Sequence, residues 1–104
     1  MKQERLQNFK PLAGATTTVT PAEASGNVEV KNKTVRIYNG TNAVVWIRIG
    51  QGEDTAAEVG TDMPIPTGGV ELFDLLNSDD TVAYIIEDDT GLEGELSITP
   101  GTGN

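Results

Sequence analysis

The 104-residue sequence predicts a single all-β domain, a β-sandwich or jelly roll of about seven to eight short antiparallel strands behind an extended N-terminal arm. Three observations carry this expectation. Short runs rich in Val, Ile, Thr and aromatic residues recur along the chain, and such side chains suit a pleated, half-buried surface. Clusters of Gly, Pro, Asn and Asp separate them at intervals of about 8–12 residues. No stretch holds the helical period long enough to make an amphipathic helix.

Residues 1–14 read as the arm. A helical turn over Glu4–Phe9 would be stopped by Pro11 and Gly14, and Leu6, Phe9 and Leu12 are available as anchors on the body or on a neighbour. The body is expected over residues 15–100. Its first strands are the threonine-rich Ala15–Thr20, ended by Pro21, and Asn27–Val30. Thr34–Tyr38 and Ala43–Ile49 flank Asn39-Gly40-Thr41-Asn42, and Asn-Gly is a strong tight-turn signal. This pair is therefore expected to form a central hairpin. In its second strand Val45, Ile47 and Ile49 share one face and Val44, Trp46 and Arg48 the other. The first set is assigned to the core, because burying Arg48 without a partner would be costly.

The acidic connection Gly50–Gly60 has the length and composition of a mobile loop, with a helical turn starting at Ala56–Ala57. Met63-Pro64-Ile65-Pro66 must lie at a sheet edge or across an end of the body, since proline cannot donate to a central ladder. In Val70–Phe73, Val70 and Leu72 oppose Glu71 and Phe73, and Asp74–Ser78 reads as a short helical turn. Thr81–Glu87 is apolar on both faces, which suits a central strand. Glu93–Thr99 alternates, with Leu96 and Ile98 inward, and residues 101–104 read as a tail.

Composition narrows the chemistry. The sequence contains no histidine and no cysteine, which removes the commonest general base and transition-metal ligand, any disulfide and any thiolate site. Ser25, Ser78 and Ser97 lack an activating histidine, and a serine–lysine pair would need Lys31 or Lys33 beside one. Glu87-Asp88-Asp89-Thr90-Gly91 and Glu53-Asp54 offer hard oxygen ligands for calcium, but neither has EF-hand spacing, and turn formation accounts for both. No phosphate-cradling loop is present. The expectation is no enzyme, no cofactor and no metal.

Charge is unevenly spread. Residues 1–36 carry six basic residues against three acids, a net +3, whereas residues 37–104 carry Arg48 against thirteen acids, a net −12. An acidic body would repel a phosphate backbone, so no nucleic-acid partner is expected. The N-terminus has no apolar stretch of the kind a secretory signal needs, and no run approaches the roughly 20 apolar residues of a membrane span. A soluble protein made in a cytoplasm is expected. Binding surfaces remain: an outward Trp46 beside Val44 and Arg48 has the composition of an interface.

Several of these stretches occur together in a familiar order. Arg5-Leu6-Gln7-Asn8-Phe9 leads into a threonine-rich stretch, then Val35-Arg36-Ile37-Tyr38-Asn39, Val44-Val45-Trp46-Ile47-Arg48-Ile49-Gly50, Met63-Pro64-Ile65-Pro66 and Gly69-Val70-Glu71-Leu72-Phe73. This series resembles small virion proteins encoded among the structural genes of tailed bacteriophages, which are β-sandwich or jelly-roll proteins that decorate or cement the capsid or form head or tail appendages. The resemblance implies mechanical stabilisation without chemistry. It implies a homo-oligomer, dimer or trimer, bound to the major capsid protein or another virion protein on the capsid surface or an appendage, assembled in the host cytoplasm. It also implies that the arm reaches across a neighbouring subunit, which accounts for Lys2, Arg5, Phe9 and Lys10; with the anchor Leu6 and the outward Val44, Trp46 and Arg48 read from the residues themselves, these are the expected interface. A carbohydrate- or receptor-binding module of a phage appendage is the alternative, and Tyr38 and Trp46 are the aromatic residues it would use.

Overall fold

The computed structural model describes residues 9–31, 34–75 and 79–102. Lys2, Arg5 and Leu6 of the expected arm lie outside them. Nine strands follow one another: β1 (Lys10–Pro11), β2 (Thr17–Val19), β3 (Gly26–Glu29), β4 (Thr34–Asn39), β5 (Val45–Gly50), β6 (Met63–Ile65), β7 (Val70–Asp74), β8 (Thr81–Ile85) and β9 (Leu96–Thr102). All their pairings are antiparallel. One sheet, A, runs β9-β4-β7, with β1 and β2 both paired to the other side of β9; the second, B, runs β3-β8-β5-β6. With β1 and β2 as halves of one interrupted edge, every connection from β2 onward crosses between sheets except β5 to β6. This is the strand order of a jelly roll.

Sheet A turns Val35 and Ile37 of β4 and Leu96 and Ile98 of β9 inward. They meet Val45 and Ile47 of β5, Ile65 of β6 and Val82 of β8, with Ile86 just beyond that strand, and all are buried. Each such side chain contributes about 1.5–3 kcal/mol relative to exposure. The expected inward face of β5 is the observed one: Val45 and Ile47 are buried, while Val44 and Arg48 are exposed and Trp46 is half-buried.

The expected central hairpin does not form. β4 lies in sheet A and β5 in sheet B, so Asn39–Asn42 carries the chain across the sandwich. The physical reason is where the polar groups of this turn are satisfied. Asn39 is fully buried; its Nδ2 donates to the Ala43 and Ile65 carbonyls, both at 2.8 Å. Its Oδ1 accepts the Thr41 N–H at 2.9 Å and hydroxyl at 2.7 Å. The backbone N–H groups of Gly40 and Asn42 donate to Glu95 and Glu93 of the β8–β9 connection. The turn is built on partners distant in sequence, not on a hairpin ladder.

Other differences are local. There is no helix among the described residues; Ala57 is buried without helical structure, and of the expected turn Asp74–Ser78, Asp74 belongs to β7 while residues 76–78 lie outside the described residues. The last strand runs on through Pro100 and Gly101 to Thr102. Opposite Pro100, which has no N–H to offer, the edge of sheet A breaks between β1 and β2, and Leu12 N–H donates to the Pro100 carbonyl instead. Within the segment expected as an arm, Lys10–Pro11 is thus already part of the sheet.

Candidate interaction surfaces

The two outer faces of the sandwich differ. On sheet B, Asn27, Ala83 and Arg48 lie in one cross-strand row. The acidic connection after β5, expected to be mobile, folds back over this row. Asn27 Nδ2 donates to the Glu53 and Thr55 carbonyls at 2.8 and 3.1 Å. The Ala57 N–H donates to Ser25 Oγ at 2.9 Å, and Arg48 Nε pairs with Asp62 Oδ1 at 3.0 Å. Ala83, in the middle of the row, has no exposure left. Trp46 is on this same face, in register with Pro64 on one side and Ile85 on the other.

The start of the same loop is pinned from the residue just before β8. Asp80 Oδ1 accepts the Gly52 N–H at 3.0 Å and the Thr81 hydroxyl at 2.8 Å. These bonds, the Gly52 N–H foremost, hold the Asp80 carboxyl below the usual carboxylate range. Asn27, Glu29, Gly52, Glu53, Asp80 and Thr81 line an open depression of about 450 Å³. A carboxylate kept ionised by backbone and hydroxyl donors is suited to fastening a loop and unsuited to acting as a general acid.

The second acidic run folds similarly. Glu23 and Asp89 exchange backbone-to-carboxylate bonds at 3.2–3.3 Å, and Asp88 Oδ1 accepts the Thr90 N–H at 2.9 Å. That bond comes first among the causes holding the Asp88 carboxyl low. Oxygens of Glu23, Asp88 and Asp89 approach within 4.8 Å, all on exposed residues. Three single oxygens fall short of the six to eight that calcium takes, and the turn already uses them. The Glu53-Asp54 run contributes its Glu53 carbonyl to Asn27.

Among the described residues sheet A leaves its outer face bare over the upper part of β4 and β7, whereas Thr34 and Thr99 on the same face are buried. Tyr38 of β4 is 40% exposed, and Val70 and Leu72 of β7 are 42% and 47% exposed. Tyr38 is the cross-strand partner of Val70, and Arg36 that of Leu72, so they form one apolar strip with Arg36 beside it. β7 therefore turns its aliphatic pair to solvent and Glu71 and Phe73 to the inner side. The alternation Val-Glu-Leu-Phe was visible in the sequence, but a period of two defines two faces without saying which is inside. Val35 and Ile37 opposite Phe73 and Glu71 decide it.

The residues expected at an interface do not converge on one patch. Phe9 is half-buried, and its ring lies against Gly101, where an added Cβ would stand 2.7 Å from Phe9 Cε1. Lys10 is exposed in β1, on the opposite edge of sheet A from β7. Val44, Trp46 and Arg48 belong to the outer side of sheet B, and Tyr38 to that of sheet A. Tyr38 and Trp46 are therefore on opposite faces of the sandwich and cannot form one aromatic platform. No family model, characterised protein or solved structure matches the chain.

Proposed function

We propose that the chain is a non-enzymatic structural protein of a tailed-phage particle that decorates or cements the capsid by binding across neighbouring capsid subunits. The observation that carries this reading is the bare strip of Tyr38, Val70 and Leu72 on sheet A. An aromatic and two aliphatic side chains side by side at the surface, with an arginine next to them, have the composition of a protein-binding patch. The jelly-roll strand order supports the reading, since viral capsid domains use it, though lectins do too and the fold alone decides nothing. The chemistry of the sequence agrees, because neither histidine nor cysteine is present and the carboxylates of Glu23, Asp62, Asp80, Asp88 and Asp89 are occupied in holding loops.

The carbohydrate-binding alternative is less well supported, because its two candidate aromatics face opposite ways. Cryo-electron microscopy of the source virion tests the proposal. The expected result is density for this jelly roll over joints between capsid subunits, with the Tyr38 face of sheet A against protein. A chain absent from purified particles would overturn it.

A further inference from the structure

We propose that β7 is a self-pairing edge: two copies of this chain join antiparallel through Val70–Asp74, making one continuous sheet from two copies of sheet A. This deepens the reading of the chain as an association module by naming the surface and partner. The sandwich has four open edges, and three are blunted in ways that discourage strand addition. The β1/β2 edge is broken by the turn in which Ala15 N–H donates to the Leu12 carbonyl. β6 carries Pro64 and is followed by Pro66. β3 has only four residues, and Glu29 at its end is ion-paired to the exposed Lys31 at 3.4 Å. β7 has five residues without proline, and among the described residues nothing covers its far side.

What β7 offers is specific to a strand. Asn39 N–H donates to the Gly69 carbonyl at 2.9 Å where β7 begins. From that bond, the alternation of an antiparallel ladder turns the N–H and C=O of Glu71 and Phe73 towards β4. Those of Val70, Leu72 and Asp74 point away from the sheet, and an extended backbone satisfies them best. The same residues carry the exposed aliphatic side chains, so pairing would satisfy the backbone and set the aliphatic pairs of the two copies side by side on one face.

The sequence of β7 suits its own copy. A two-fold axis through Leu72 pairs all five residues of each strand: Val70 with Asp74, Glu71 with Phe73, Leu72 with Leu72. Neither acid then opposes an acid, and each faces an apolar side chain. Centring the axis on Glu71 would set two carboxylates against each other, which is unfavourable. Centring it on Val70 or Phe73 shortens the ladder. A shift of one residue would put outward side chains opposite inward ones. In the Leu72 register the strip Tyr38–Val70–Leu72 continues into that of the partner copy, with Arg36 on both flanks.

Sedimentation velocity of the full chain at micromolar concentration tests this, together with Leu72→Arg, whose fold is checked by circular dichroism. The expected result is a species of twice the 11.0 kDa chain mass that Leu72→Arg converts to monomer. Because the chain has no cysteine, Leu72→Cys adds a direct probe. Residues opposed across a bonded antiparallel pair lie about 5.5 Å apart at Cα, inside the range a disulfide spans. Mild oxidation should give a covalent dimer with Leu72→Cys and not with Asp54→Cys. A wild-type chain that is monomeric throughout overturns the pairing. So does a dimer indifferent to Leu72→Arg, or crosslinking equal at both positions. Capsid binding is scored separately: a monomer that binds capsids overturns the pairing alone, and a dimer that binds none overturns the virion reading alone.

Discussion

Asn39 and Ile65 are joined by a 2.8 Å hydrogen bond from side-chain Nδ2 to backbone carbonyl. Asn39 ends β4 in sheet A and Ile65 ends β6 in sheet B, so this bond ties the two layers where the chain crosses between them. Asn39→Ala leaves the Ile65 carbonyl and the Thr41 N–H without this partner in a fully buried position. The expected cost is about 2–4 kcal/mol, read as a lower midpoint in urea denaturation.

Gly94 has φ +90°, and a Cβ there would overlap the Gly40 carbonyl oxygen and stand 2.9 Å from the carbon. Both neighbours are backbone and cannot swing aside. Gly94→Ala should destabilise by about 2–4 kcal/mol, through the left-handed conformation and the overlap together. Thermal unfolding checks it, with Gly91→Ala as control: φ there is +73° and the added Cβ meets nothing within 4 Å. The control should lose less.

Truncation separates the arm from the sheet. Removing residues 1–8, which lie outside the described residues, is the reference against which the longer truncation is read. Removing residues 1–14 strips the β1 pairing with Gly101 and Thr102, the Leu12 to Pro100 bond and the Phe9 ring from β9. That should cost about 1–3 kcal/mol. If basic residues before position 9 contact an acidic neighbour, the shorter truncation weakens capsid binding.

Asp80 links stability to acid. Its folded-state pKa is lowered, so its contribution is fully present above the ordinary aspartate value of 3.8. It is lost as pH falls through the lower folded value, because the unfolded chain takes up the proton first. Asp80→Asn removes this titration. Denaturation followed from neutral pH to below pH 3.8 should show a smaller acid loss in the variant than in the wild type.

Much of the fold is legible in the sequence. The spans of β4, β5, β7 and β8 follow from β-branched runs between turn residues, and the inward face of β5 follows from Arg48 alone. What is not legible is which strands pair. Asn39-Gly40 announces a turn, but only Ile65 and Glu95, far along the chain, make it a crossing rather than a hairpin. Pro100 reads as a strand end because proline lacks a donor, and only the break between β1 and β2 opposite it lets β9 continue. The strip on sheet A is not legible for a related reason: Val70 and Leu72 oppose Glu71 and Phe73, and only the neighbouring strand shows which pair is inside. Nor could composition show that the acidic loop is fastened through Asn27, Ser25 and Arg48.

The proposed function sets the outer face of sheet A against the capsid. Tyr38 tests it best, because it is exposed on that face yet belongs to β4, inside the sheet rather than at its edge. Co-sedimentation of purified capsids with wild type and Tyr38→Glu, at matched concentration and with folding verified, is the measurement. Binding by the wild type and at least a tenfold loss, about 1.4 kcal/mol, in the variant is the predicted result. Equal binding by the two proteins would contradict the account.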